Sequence, residues 1–168
     1  MTETAIETLG LAFDLNGKSV HIHAPSNRVL SDLLRDDLDL KGTHVACGRT
    51  VCGACTVLID GVPRAACSTF AFEVDGTAVL TIEGVEGEGK APDAVQRAFA
   101  KLSAFQCGFC TPGMILLVRA LLDEHPQPTA ETIREHISSN ICRCTGYGLI
   151  LEAVALAAAE RATQEQAR

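Results

Sequence analysis

The chain has 168 residues, 47% of them hydrophobic, with no Trp, one Tyr and six Phe, so its interior must be built chiefly from aliphatic side chains. That composition belongs to one folded domain or two small ones and excludes a disordered polymer. The formal net charge is −7 and no Lys/Arg-rich run occurs, so no nucleic-acid partner is expected.

In chain order, LGLAFDL and SVHIHA alternate around Asn16-Gly17, the strongest short-range signal for a hairpin. Over VLSDLLRDD, Leu30, Leu33 and Leu34 share a face and predict a short amphipathic helix. CTVLIDGVPRAA reads as a second hairpin turning at Asp60-Gly61, and AVLTIEG as a further strand. Strands around a short helix predict a small α+β domain over residues 1–82. Residues 83–90, EGVEGEGK, have no apolar period and are expected to be a linker. Over residues 91–168 the period becomes helical, with Val95, Phe99 and Leu102 on one face. Met114, Val118 and Leu121 repeat that spacing behind Thr111-Pro112, read as an N-cap followed by Pro at the first helical position. Ile133 and Ile137 mark a third helix capped by Thr129, and an alanine-rich fourth runs from about Ile150 to Ala162. Four short helices with brief connections predict a compact bundle.

No apolar run approaches the roughly 18 residues that span a bilayer, so no membrane span is expected. MTETAIETLG lacks the basic and apolar regions of a secretory signal. Eight cysteines in such a chain are expected to sit in the reducing cytoplasm, where metal or redox chemistry is a better use of thiols than disulfides.

The cysteines fall into two sets of four, one in each half. Cys47, Cys52 and Cys55 have the spacing C-x4-C-x2-C, and Cys67 follows after eleven intervening residues. This is the plant-type [2Fe–2S] spacing. A loop wrapped around such a cluster must aim backbone N–H groups at sulfur, and Gly48 and Gly53 permit the dihedrals this needs. The second set is Cys107-x2-Cys110 with Cys142-x-Cys144, each pair beside a predicted helix. Two antiparallel helices could present both pairs to one cluster. Competing readings are weaker. A zinc ribbon from the two C-x-x-C pairs leaves Cys47, Cys67, Cys142 and Cys144 unexplained. Thiol-disulfide exchange lacks a thioredoxin-like βαβ frame, and a single [4Fe–4S] centre would leave four thiols idle. Two [2Fe–2S] centres account for all eight.

HVACGRTVCGACTVLIDG, AACSTF, FQCGFCTPGM and NICRCTGYG, in that order, resemble the iron–sulfur small subunit of the molybdenum hydroxylase (xanthine oxidase) family, over about residues 5–160. Carbon monoxide dehydrogenase small subunits and those of bacterial N-heterocycle and aldehyde dehydrogenases are similar. The resemblance implies an α+β fold, with an N-terminal ferredoxin-like β-grasp domain followed by a C-terminal four-helix bundle. It implies that Cys47, Cys52, Cys55 and Cys67 ligate an outer cluster, and Cys107, Cys110, Cys142 and Cys144 an inner one nearest the molybdopterin. It further implies that Gln106 hydrogen-bonds the pterin and that Cys144 lies against it. Many relatives carry a third glycine in the C-x4-C loop where this chain has Thr50.

There is no G-x-G-x-x-G after a strand and no room for a molybdenum domain. By resemblance, the partners are a large subunit carrying molybdopterin, as the cytosine dinucleotide, and a medium subunit carrying FAD, in a dimer of heterotrimers. The chain is then the electron-transfer subunit of an oxidoreductase whose substrate site lies elsewhere. A freestanding ferredoxin-type carrier and a zinc-stabilised assembly module are the alternatives. His21, His23, His44, His125 and His136 are expected in surface or polar-face roles. Tyr147 is expected to pack or cap beside the inner cluster.

Overall fold

The computed structural model describes residues 6–86 and 91–166. The first half is a five-stranded sheet in the order β2-β1-β5-β3-β4. β1 (Thr8–Leu15) and β2 (Lys18–Pro25) form the first hairpin. Its turn residues Asn16 and Gly17 have φ of 55° and 77°, the left-handed pair that a two-residue turn between twisted strands requires. β3 (Thr56–Ile59) and β4 (Val62–Ala65) form the second, and Asp60 and Gly61 adopt the same geometry at 49° and 79°. β5 (Ala78–Leu80) closes the sheet between them, parallel to β1 and antiparallel to β3.

The predicted helix forms under this sheet, with one difference. Only Leu30–Asp32 is α-helical (α1), and the chain widens into a π turn over Leu33–Asp37. The wide turn leaves Leu30, Leu33 and Leu34 fully buried against Phe13, Val57 and Val79. A regular helix pattern and a π turn present the same leucines inward, which is why the spacing alone does not separate them.

The second half holds α2 (Ala94–Lys101), α3 (Thr111–Glu124), α4 (Ala130–Ile137) and α5 (Gly148–Gln166). α2 lies on α5 and α3, and α4 on α3 and α5. Their shared core contains Phe99, Met114, Val118, Leu121, Ile133, Ile137, Ile150 and Val154. Thr129 caps α4 as expected, its hydroxyl accepting from the Thr132 N–H at 3.1 Å. α3 begins one residue before the expected start. Thr111 is already helical and its side chain caps nothing, because Gly108 (φ 80°) turns the chain so that Thr111 N–H donates to Gly108 C=O. Of the segment 83–90 expected as a linker, residues 87–90 lie outside the described residues. Its first part is built into the fold: Ile82–Gly84 form a 3₁₀ turn, and Val85 is buried in the helical core.

The two halves share β3. Val57 faces the core under the sheet and Leu58 faces the core among the helices, so the strand is apolar without alternation. α3 packs directly on β3, and the seam beyond is backbone against backbone. A Cβ on Gly113 of α3 would stand 2.6 Å from the Gly53 carbonyl oxygen, and one on Gly53 would stand 2.5 Å from that of Ser139. Replacing a helical glycine by alanine ordinarily gains about 1 kcal/mol. At Gly113 the sign should reverse: Gly113→Ala is expected to lower stability by about 2 kcal/mol through forced separation of the seam, read as a fall in the denaturation midpoint at unchanged m-value.

Candidate metal centres

The first four cysteines are gathered by the loop between the π turn and β3 together with the β3–β4 hairpin. Cys55 immediately precedes β3 and Cys67 follows β4 by one residue, so the pairing of Thr56 with Ala65 carries Cys67 back to Cys55. The Cys55 and Cys67 side chains meet, as do those of Cys47 and Cys52. Gly48, Thr50 and Gly53 all have left-handed backbones, with φ of 62°, 63° and 70°. Thr50 therefore adopts a conformation natural to glycine, at a β-branched penalty of about 1–2 kcal/mol. These turns point amides inward. Arg49 N–H donates to Cys47 Sγ at 3.4 Å. That donor, then the Cys52 N–H and thiol, hold the Cys47 thiol down to about 6. Burial instead pushes the Cys55 thiol up to about 11.

The second four come from two loops flanking helices. Cys107 and Cys110 lead into α3, and Cys142 and Cys144 lie between α4 and α5. Cys107 and Cys144 Sγ are 3.5 Å apart, and the Cys110 thiol faces that of Cys142. Burial, then Cys142, pushes Cys110 up to about 12. The opposing Cys107 raises Cys144 as well. Burial acts the same way on Cys142, but the Thr145 hydroxyl, 3.1 Å from its sulfur, and the Thr145 and Cys144 N–H groups outweigh it and hold that thiol low. Tyr147 fixes the loop: its hydroxyl accepts from Cys142 N–H at 2.8 Å and donates to Asn140 C=O at 3.1 Å. It caps beside these sulfurs, as its position in CRCTGYG suggests.

The sulfurs thus come in twos, two pairs in each half. Among the described residues, no three His, Cys, Asp or Glu groups converge on one ion position. A mononuclear zinc site needs four donors around a single point. A [2Fe–2S] centre needs two thiolates on each of two irons and N–H donors toward sulfur, which is the donor set present.

The two sets are tied by main chain. Ile141 N–H donates to Cys52 C=O at 2.8 Å, linking the residue before Cys142 to one of the first four cysteines. Beside it, the buried Asn140 donates from Nδ2 to Gly53 C=O at 3.1 Å. A third tie is His44, whose Nδ1–H donates to Phe109 C=O at 2.8 Å and whose ring stacks on Phe109 at 4.6 Å. His44, expected in a surface or polar-face role, is half-buried, with its polar edge on the Phe109 carbonyl. His21 and His23 are exposed on β2, while His125 and His136 flank Glu124. Gln106, Cys107 and Cys144 are exposed, and so are the apolar Phe105, Phe109, Ile141 and Leu149 around them in sequence. Nothing in the sequence singles out Asn140, Thr145 or His44 for these roles except proximity to cysteine.

Residues 81–155 match the "[2Fe-2S] binding domain" family and residues 24–95 the "2Fe-2S iron-sulfur cluster binding domain" family. The chain is 47% identical over 137 residues to a probable xanthine dehydrogenase subunit of Bacillus subtilis, covering 82% of this chain and 78% of that protein. It is 45% identical over 141 residues to the nicotinate dehydrogenase small FeS subunit of Eubacterium barkeri, covering 84% and 89%. The fold superposes on a chain of quinoline 2-oxidoreductase from Pseudomonas putida 86 with a TM-score of 0.88 and 39% identity, covering 94% of this chain and 97% of that one. Two cysteine sets in two halves, matched along nearly the whole chain, place this protein among the iron–sulfur small subunits of the molybdenum hydroxylase family.

Proposed function

We propose that Cys47, Cys52, Cys55 and Cys67 hold an outer [2Fe–2S] centre, and Cys107, Cys110, Cys142 and Cys144 an inner one, in an electron-transfer subunit of a multi-subunit oxidoreductase. In this reading residues 1–82 are a β-grasp domain and residues 91–168 a four-helix bundle, joined through 83–90. Bound in these sites, each centre supplies a one-electron carrier. The chain's own work is to hold them, to present N–H donors to sulfur and to connect the two. The observation that carries the reading is the bond from Ile141 N–H to Cys52 C=O. It makes a continuous route of covalent bonds and one hydrogen bond from Cys52 Sγ to Cys142 Sγ. A zinc assembly module has no use for such a link, and a simple ferredoxin has no second site to connect.

The exposed pair Cys107 and Cys144, with Gln106 beside it, is the end offered to a partner. Exposed Phe105, Phe109, Ile141 and Leu149 supply the apolar surface that docking to a large subunit would bury. Gln106 and Cys144 then contact a molybdopterin, as the cytosine dinucleotide, carried by that subunit. A medium FAD subunit is the acceptor from the outer centre, and the assembly is a dimer of heterotrimers in the cytoplasm. The substrate, whether carbon monoxide, a purine, an N-heteroaromatic or an aldehyde, is chosen by the large subunit.

Purified anaerobically, the chain is expected to carry about four iron and four acid-labile sulfides. Zinc without sulfide would refute the assignment. Cys52→Ser is expected to remove one of the two reduced-cluster EPR signals and to leave the other, with the molybdenum of the assembled enzyme still reducible by substrate. Loss of both signals from a folded protein would contradict two independent sites.

A further inference from the structure

We propose that Thr145 is a positioning residue of the inner centre, acting through Cys142: its hydroxyl, donated to Cys142 Sγ, raises the reduction potential of that centre. The proposal rests on the assignment of Cys107, Cys110, Cys142 and Cys144 to one [2Fe–2S] centre.

The direction of the bond follows from the two contacts of one oxygen. Thr145 Oγ1 lies 3.1 Å from Cys142 Sγ and 3.2 Å from Tyr147 N. The peptide N–H can only donate, so Oγ1 accepts there and its single proton is left for the sulfur. A cysteine sulfur bound to metal has given up its own proton and only accepts. Among the described residues this is the one side-chain hydroxyl donated to a cysteine sulfur; at Cys47 the donor is the Arg49 peptide, at 3.4 Å. One-electron reduction adds negative charge to the centre, and a hydrogen bond strengthens as its acceptor gains charge. The Thr145 hydroxyl therefore stabilises the reduced form more than the oxidised form, and the inner centre becomes easier to reduce.

The loop is built to hold that hydroxyl in place. Gly146 and Tyr147 are consecutive left-handed residues, with φ of 65° and 67°, and the turn they make folds Tyr147 N–H back onto the Thr145 oxygen. An aromatic residue rarely takes this conformation. Tyr147 is kept in it from both ends. Its C=O accepts from Leu151 N–H at 2.9 Å in the first turn of α5, and its hydroxyl bonds Cys142 N–H and Asn140 C=O. Cys142 is thus held at its N–H by Tyr147 and at its sulfur by Thr145. A threonine that only turned the chain would need the contact with Tyr147 N–H and no sulfur on the other side of its oxygen. Cys107 and Cys144, the exposed sulfurs of the same centre, form the end offered to a partner. A raised potential there favours uptake of an electron arriving from that side.

The test is an EPR-monitored reductive titration of the anaerobically purified full chain, in which the two centres are followed separately. Thr145→Val keeps the branched shape and removes the hydroxyl. The inner centre should become about three- to tenfold harder to reduce, tenfold being about 59 mV for one electron, with the outer centre unmoved. Thr145→Ser keeps the hydroxyl and should restore most of the difference. Tyr147→Phe loosens the loop but leaves both the Tyr147 N–H and the Thr145 hydroxyl, and should shift the inner centre less than Thr145→Val does. Pulsed EPR of the reduced inner centre, prepared in ordinary and in heavy water, should show an exchangeable-proton coupling that Thr145→Val loses and Thr145→Ser retains. The proposal is overturned if Thr145→Val leaves the inner potential unchanged or makes reduction easier, if both centres shift equally, or if Tyr147→Phe shifts the inner centre as far. It is overturned also if Thr145→Val loses no exchangeable coupling, or if it assembles only the outer centre, since the hydroxyl would then act in assembly. Failure of the underlying assignment looks different: the unsubstituted protein itself would show no second centre.

Discussion

The fold turns on the donation from Ile141 N–H to the Cys52 carbonyl. A single such bond is worth about 1 kcal/mol net, too little to join two halves of a protein by itself. Its importance lies in what must be removed to make it. Gly53 and Gly113 bring main chain against main chain where any Cβ would collide. Once that approach is made, water is excluded and the Gly53 carbonyl is satisfied from within the protein, by the Thr56 N–H and hydroxyl and by Asn140 Nδ2 from a fully buried position. Breaking the seam exposes β3, whose two faces belong to two cores. The small bond is therefore locked by packing on one side and by the cost of unpaired buried groups on the other.

The same seam sorts the sulfur chemistry. In each half one cysteine pair lies deeper than the other, Cys55 with Cys67 in the first and Cys110 with Cys142 in the second. Burial first, and the neighbouring cysteines after it, drive Cys55 and Cys110 toward the protonated thiol. Metal binding must overcome this by displacing the protons. Cys47 and Cys142 are the reverse, held toward thiolate by peptide N–H groups and, at Cys142, the Thr145 hydroxyl. Each set thus combines a sulfur that resists charge with one already prepared for it, and in both cases the preparation comes from donors in the cysteine loop itself.

How much of this is legible in the sequence follows from the range of each interaction. Asn16-Gly17, Asp60-Gly61 and the Thr129 cap rest on dihedrals and neighbours within four residues, and the sequence displays them directly. The eight cysteines are legible because ligand spacing is itself local within each cluster of the motif. The π turn after α1 is hidden, since Leu30, Leu33 and Leu34 face inward in either geometry. The helix beginning at Thr111 reads one residue late because a Thr-Pro pair looks like a cap, while the turn that starts the helix is set by Gly108. Val85, inside a run of glycine and glutamate, is buried by helices that begin later in the chain. Thr50 is legible only as a missing glycine; that it takes the glycine conformation anyway is a matter of the loop around it. Asn140 and His44 act on residues 87 and 65 positions away, and no window on the sequence contains both partners.

The long-range contacts show a consistent division of labour. Each loop of the helical half that carries cysteines is tied to the sheet half: the 140–144 loop through Ile141 and Asn140, the 107–110 loop through His44. All these grips land on the peptide groups beside the cysteines and none on a cysteine sulfur. That arrangement leaves the sulfurs free for metal while fixing the backbone dipoles that surround them. It also explains why an amide-rich, glycine-dependent seam accompanies the apolar packing of α3 on β3. Apolar packing could hold the halves together equally well, but it is non-directional. Only hydrogen bonds to named carbonyls can set the spacing of two sites and the polarity of their peptides at once.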